Sequence, residues 1–302
     1  MAETLNLINP NDPLSCKYEI SKFPDGQQSI KIVEHNYCTL YSLAEQKQAI
    51  TIYSRMNSFQ DVELIICATQ ALREIGVNRI KLYVPYFIGG RSDRKFSPGG
   101  INYIKNVIAP IINSQGYEAV GVMDPHSDVI EACINNFRKI STEKLITFFI
   151  KDYFTQIKGL EKSDYSKFVL TSPDAGAMKK IYDLAFSIGY KNEIITCSKH
   201  RDVDGKLTNT IVPLNIPLND VMDKDIIIVD DICDGGGTFI NIAKVIKEQK
   251  RFVGKIYLIV THGIFSRGYE ELSNYFDRIY TTNSIKDITE SPNNFIKQIN
   301  IF

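Results

Sequence analysis

Residues 226–239 read IIIVDDICDGGGTF: an apolar run, then Asp230, Asp231 and Asp234, then Gly235, Gly236, Gly237 and Thr238. Carboxylates, bare backbone and a hydroxyl this close together suit a ligand that carries both an anion and hydroxyl groups. Glycines let main-chain N–H groups approach an anion, and Thr238 at the start of the following helix adds a hydroxyl beside the positive end of its dipole. Asp230 and Asp231 would be repelled by that anion, so their task is to bind sugar hydroxyls, directly or through Mg²⁺. Phosphate together with vicinal hydroxyls implies a ribose phosphate. A tight turn with solvated aspartates is the rival, and the order of strand, acids, glycines and threonine argues against it.

A loop of this kind needs a strand before it and a helix behind it, and ligands of open α/β sheets bind at such strand ends. Here the acids, glycines and threonine of DDICDGGGT form the loop, and IIIV is the strand. The same alternation runs along the chain. Strands are expected at 49–54, 79–86 and 117–124, with helices at 61–76 and 101–116 between them. The second half repeats it, with strands at 167–174, 192–199, 225–231 and 255–263 and helices at 175–189 and 238–249. This is an α/β chain with mainly parallel sheets flanked by helices. A length of 302 residues with 44% hydrophobic content supports two domains, each with its own core. The boundary is placed in the segment 137–154, giving an N-terminal domain of 1–145 and a C-terminal domain of 146–302 whose last segment packs back on the first.

Composition narrows the function. Thirty-five basic residues balance thirty-five acidic ones, so no overall field recruits nucleic acid or a membrane surface, and an anionic ligand must be held locally. Six cysteines are scattered without a CxxC pair or zinc spacing, which reads as reduced thiols in a cytoplasmic protein. The first residues lack the pattern of a signal peptide, and no apolar run approaches the ~20 residues needed to span a bilayer.

With the loop and its setting in hand, the chain resembles the phosphoribosyl diphosphate synthetases, or ribose-phosphate diphosphokinases. KFPDGQ (22–27) is similar to the family's Phe-x-Asp-Gly-Glu segment, PYFIGGRSDRK (85–95) to its Pro-Tyr…Arg-Gln-Asp-Arg-Lys segment, and VMDPHS (122–127) to its Met-Asp-x-His segment. TSPDAGA (171–177) resembles the diphosphate loop and SKHR (198–201) the catalytic Lys-x-Arg. The resemblance implies two phosphoribosyltransferase-type domains, Mg²⁺ as cofactor, ATP and a ribose 5-phosphate unit as substrates, and a homo-oligomer, dimer or larger.

It also implies roles. Phe23 would stack on adenine, with Asp25 and Gln27 beside it, and Arg91, Ser92, Asp93, Arg94 and His126 would meet the ATP phosphates. Lys199 and Arg201 would stabilise charge on the transferred phosphate oxygens; two residues apart at a strand end, they project to the same side. Asp174, with His126, would bind metal, while the N–H groups of Ala175, Gly176 and Ala177 hold the diphosphate. The bland readings are a core phenylalanine, a structural histidine, a solvated basic turn and an N-cap aspartate.

Four departures qualify this. Gln27 replaces the family's Glu, and Ser92 its Gln. The sugar loop has Gly235 where the family carries Thr, so a hydroxyl is lost from the cradle and room is made for an acceptor with a further group on its 5-phosphate, such as ADP-ribose. The segment NPNDPLSCKYEISKF is too short for a helix between the first two strands, which puts the family's hexameric, nucleotide-regulated assembly in question. The expected activity is diphosphate transfer from ATP to the anomeric hydroxyl of ribose 5-phosphate. The same reaction on ADP-ribose, serving NAD salvage, an inactive regulatory homologue and a phosphoribosyltransferase stand as alternatives.

Overall fold

A computed structural model describes residues 4–33, 37–46, 48–201, 207–211, 223–248 and 254–302. The chain divides into two compact units, Met1–Ser141 with Phe302, and Thr142–Ile301.

The first unit is built on a five-stranded parallel sheet ordered β1-β4-β5-β6-β7. Its elements are β1 (Thr4–Asn6), β2 (Tyr18–Lys22), β3 (Gln28–Ile32), α1 (Tyr37–Glu45), β4 (Ile50–Tyr53) and α2 (Phe59–Glu74). They continue as β5 (Ile80–Val84), α3 (Ala109–Ser114), β6 (Ala119–Met123), α4 (Asp128–Cys133) and β7 (Phe137–Ile140). No helix intervenes between β1 and β2; instead β2 and β3 form a separate antiparallel hairpin. The expected helix at 101–116 is split: a π-helical turn at Ile104–Ile108 gives way to α3, whose first turn contains Pro110. Proline has no N–H to give to the preceding turn, so the helix restarts there. Helix α2 begins in a reciprocal capping box, Ser58 accepting from the Asp61 N–H and the Asp61 carboxylate accepting from the Ser58 N–H.

The second unit carries a six-stranded sheet ordered β15-β14-β13-β12-β8-β9, parallel at each pairing. Its elements are α5 (Glu143–Lys151), β8 (Phe168–Ser172), α6 (Met178–Ile188), β9 (Ile194–Thr196), β10 (Ser198–Arg201) and β11 (Leu207–Ile211). They continue as β12 (Asp225–Cys233), α7 (Gly237–Lys247), β13 (Ile256–Gly263), α8 (Glu270–Ser273), β14 (Arg278–Thr282) and β15 (Ile296–Ile299). Alternate residues of β12 serve different cores. Ile226 and Ile228 join Phe239, Ile240 and Ala243 of α7, while Ile227 joins Phe149, Tyr153 and Ile181 of the other layer. A strand covered on both faces reads as one apolar run, which is why IIIV stands out in the sequence.

Candidate active site

In the first unit, Phe23 to Gln27 form the turn of the β2–β3 hairpin. Phe23 N–H donates to the Gln27 carbonyl at 2.8 Å, the Gln27 N–H to the Asp25 carboxylate at 3.1 Å, and Gly26 takes φ +100°. Only glycine enters that conformation without strain, so the Asp-Gly pair makes the turn and leaves Phe23 at its tip, 51% exposed. A phenylalanine in a core would be buried; this one is available to a flat ligand. The hairpin is tied to α2, where Gln28 Nε2 donates to the Gln60 carbonyl at 2.6 Å.

Arg91, Ser92, Asp93 and Arg94 lie in the loop that leaves β5, and His126 lies in the loop that leaves β6, so the two loops meet at the same edge of the sheet. A Cβ added at Gly90 would stand 3.6 Å from His126 Cβ, which measures how closely they pack. Asp93 is buried and accepts from Arg94 Nε at 2.9 Å. Burial pushes its carboxyl up, but hydrogen bonds from Arg94 and Ser127 outweigh that and hold it below its ordinary value. Asp93 is therefore an internal strut between the two loops, and Arg91 and Arg94 carry their guanidinium groups at the surface.

In the second unit the strand end is longer than the sequence pattern suggests. Asp230 and Asp231 are not in the loop: β12 stays paired with β13 as far as Cys233 opposite Gly263. The apolar stretch broken by two aspartates hides those last pairings. The loop proper is Asp234, Gly235 and Gly236, and α7 starts at Gly237. Gly236 has φ +78°, and a Cβ there would come within 2.8 Å of Leu272 Cδ2, so this glycine is required by both conformation and space. Gly237 is exposed and Thr238 half-buried at the helix start, where main-chain donors are unspent.

Strand alternation places Asp230 with Ile226 and Ile228, and Asp231 with Ile227. Asp231 is buried and pairs with Lys180 of α6, Nζ to Oδ2 at 3.3 Å. Its N–H donates to Asp230 Oδ1 at 2.9 Å. Burial, then the adjoining Asp231 and finally Asp174, drive the Asp230 carboxyl well above its ordinary value. The ends of the neighbouring strands β12 and β8 thus bring Asp231 and Asp174 close enough to act on Asp230, and a cation or hydroxyl donors arriving there would relieve its carboxylate.

Asp174 caps the turn Ala175–Ala177, its Oδ1 accepting from the Ala177 N–H at 3.1 Å. This is the N-cap role, and it leaves Ala175 and Gly176 exposed ahead of α6. Lys199 and Arg201 lie on β10, which pairs antiparallel with β11 and shifts register between His200 and Arg201. The side chains of Lys199 and Arg201 lie outside the described residues. Among the described residues no three His, Cys, Asp or Glu side chains converge as a metal site. His126 and Asp174 belong to different units.

Comparison with known proteins gives the family and the fold. The family model of the phosphoribosyl synthetase-associated domain matches residues 176–302. The ribose-phosphate pyrophosphokinase of Sulfurisphaera tokodaii is 30% identical over 275 residues, 89% of this chain and 84% of the relative. That of Pyrococcus furiosus is 29% identical over 271 residues, 88% and 85% of the two chains. The chain belongs to the ribose-phosphate pyrophosphokinase family. It is a transferase of the diphosphokinase type. The crystal structure of phosphoribosylpyrophosphate synthetase from Mycobacterium smegmatis shares the fold at a TM-score of 0.74 and 18% identity, covering 95% of this chain and 87% of that one.

Against this family background, two further residues stand at the strand ends without any signal in the sequence. Lys180 looks like one of a pair of surface lysines on α6, yet it pairs with Asp231. Arg267, in FSRGYE, looks like a surface turn. The room expected above Gly235 is in fact occupied: a Cβ at that position would meet Arg267 Nε at 3.1 Å and its Cδ at 3.2 Å. The missing side chain admits an arginine stem rather than leaving a void.

Proposed function

We propose that this chain transfers the β,γ-diphosphate of Mg-ATP to the C1 hydroxyl of ribose 5-phosphate, giving phosphoribosyl diphosphate and AMP. The anomeric oxygen attacks the β-phosphorus, the bond to the α-phosphate oxygen breaks, and the hydroxyl proton is lost to solvent or a neighbouring base. One observation carries the reading: the Asp230 carboxyl, raised by burial and by Asp231 and Asp174, stands at a strand end beside a bare glycine loop and the start of α7. Acids suit the ribose hydroxyls, and the N–H groups of Gly235, Gly236, Gly237 and Thr238, with the Asp234 backbone, suit the 5-phosphate.

The first unit supplies the nucleotide. Phe23 stacks on adenine, with Asp25 and Gln27 in the same turn, while Arg91, Arg94 and His126 meet the phosphates and Ser92 and Asp93 shape their loop. The N–H groups of Ala175 and Gly176 receive the diphosphate, in a turn that Ala177 closes through its bond to Asp174, and Lys199 and Arg201 stabilise charge on it as the bond to AMP breaks. Magnesium fits a donor set of this kind, because the ion takes one or two carboxylates and fills its shell with phosphate oxygens and water. Asp174 and His126, each at a strand end of its own unit, are the residues assigned to metal in this reading, and magnesium would neutralise charge on the phosphates. No helix among the described residues is long and apolar enough to cross a membrane.

The test is AMP release from Mg-ATP, with ribose 5-phosphate and ADP-ribose supplied side by side and the sugar product weighed by mass spectrometry. Release with ribose 5-phosphate, lost about a hundredfold in Lys199→Ala, is expected. A protein that binds both substrates and forms no AMP would be a regulatory homologue instead. An acceptor larger than ribose 5-phosphate is a second reading, favoured by the cationic Arg267 side chain that lies over Gly235.

A further inference from the structure

Arg267 is exposed, and its guanidinium makes no hydrogen bond or ion pair among the described residues. An arginine stem that lies against a glycine of the candidate phosphate loop, with its charged head unspent, is placed to hold an anion next to the one the loop holds. The same residue lines a cleft of about 820 Å³ formed by the turn after β13, α8 and the loop before β15. Tyr269 supplies aromatic surface there, Phe276 and Phe295 being buried in the lining, and Glu270, Asp277 and Asn293 supply acceptors. A cleft of that size holds a nucleoside, whose base needs an apolar face and whose hydroxyls and amine need acceptors. Ribose 5-phosphate alone has nothing to put in it.

We infer that Arg267 and this cleft bind the second phosphate and the nucleoside of an acceptor whose 5-phosphate is part of a diphosphate bridge, ADP-ribose being the form to test. The inference rests on the reading that the glycine loop holds a 5-phosphate. In that arrangement Gly235 is needed not for its own N–H alone but because a side chain there would push the Arg267 stem off the loop. The reacting end is unchanged: the C1 hydroxyl of the distal ribose attacks the β-phosphorus of ATP, AMP leaves, and ADP-ribose diphosphate is formed.

The experiment measures kcat/KM for ADP-ribose and ribose 5-phosphate in the wild-type protein, Arg267→Ala and Gly235→Thr, with calorimetric affinity for ADP-ribose in each. Losing one charge-assisted contact to phosphate corresponds to at least about a tenfold change. The expected result is preference for ADP-ribose in the wild type, a fall of that size or more in the ADP-ribose to ribose 5-phosphate ratio in both variants, and a matching loss of ADP-ribose affinity. An unchanged ratio, or preference for ribose 5-phosphate in the wild type, overturns the inference while leaving the proposed reaction in place. If neither sugar releases AMP the proposed reaction fails instead, and the calorimetry then decides the subsite alone: equal affinity in wild type and Arg267→Ala overturns it. Because Arg267 is exposed and bonded to nothing described, its removal leaves the fold in place for either outcome.

Discussion

Asp230, proposed to bind the ribose hydroxyls, works against the stability of the protein that carries it. Its carboxyl is raised above the ordinary 3.8 by burial and by Asp231 and Asp174, so the folded state favours the protonated form. A group with a raised folded-state value contributes stability below its unfolded pKa and loses that contribution as pH rises through the folded one. At neutral pH the ionised carboxylate is therefore a liability in the ligand-free protein. Asp230→Asn keeps the oxygen that accepts from Asp231 and removes the charge, so the variant is expected to melt higher at pH 7, by about 2–4 °C for each kcal/mol relieved, with the difference shrinking towards acid pH. Diphosphate transfer should fall at least about tenfold, because a charged acceptor for the ribose hydroxyls is gone. A lower melting temperature at neutral pH would refute the account.

The sugar loop is an element only because Gly236 takes φ +78° against Leu272. Gly236→Ala should cost about 1–3 kcal/mol through strain and overpacking, and should raise KM for the sugar phosphate as the N–H groups behind it turn. Gly237→Ala is the contrast, since a Cβ there meets nothing within 4 Å; thermal melts should separate the two variants by several degrees. What the sequence tells about such elements depends on how they are covered. The doubly covered β12 and the glycines behind it announce themselves. Strands β7 (FRKI) and β15 (IKQI) do not, because edge strands with exposed polar positions carry too little apolar signal. Two acids inside a strand look like the start of a loop, so the last pairings of β12 were hidden. The Asp-Gly of the hairpin was legible because a turn demands it. Lys180 and Arg267 were not, since a partner brought up by a different element leaves no spacing to read.

At the scale of the molecule, the residues assigned to the nucleotide and those assigned to the sugar fall in separate units, each with its own sheet and core. With 35 basic and 35 acidic residues there is no general attraction for polyanions, so each unit must recognise its substrate with local groups. That division has a measurable consequence in hydrogen exchange. Ribose 5-phosphate or ADP-ribose alone should slow exchange in Asp234–Thr238 and at Ala175 and Gly176, outside the sheet ladder and the Asp174 cap, and leave the Phe23–Gln27 turn unchanged. A non-hydrolysable ATP analogue alone should protect that turn and Arg91–Arg94. The amides of β13 and β5 are already in sheet ladders and serve as internal references. If the sugar protected the hairpin turn, or the nucleotide the glycine loop, the assignment of one substrate to each unit would be wrong. Protection that extends from Asp234 to the turn containing Arg267 with ADP-ribose, but stops at Thr238 with ribose 5-phosphate, would mark where the larger acceptor continues.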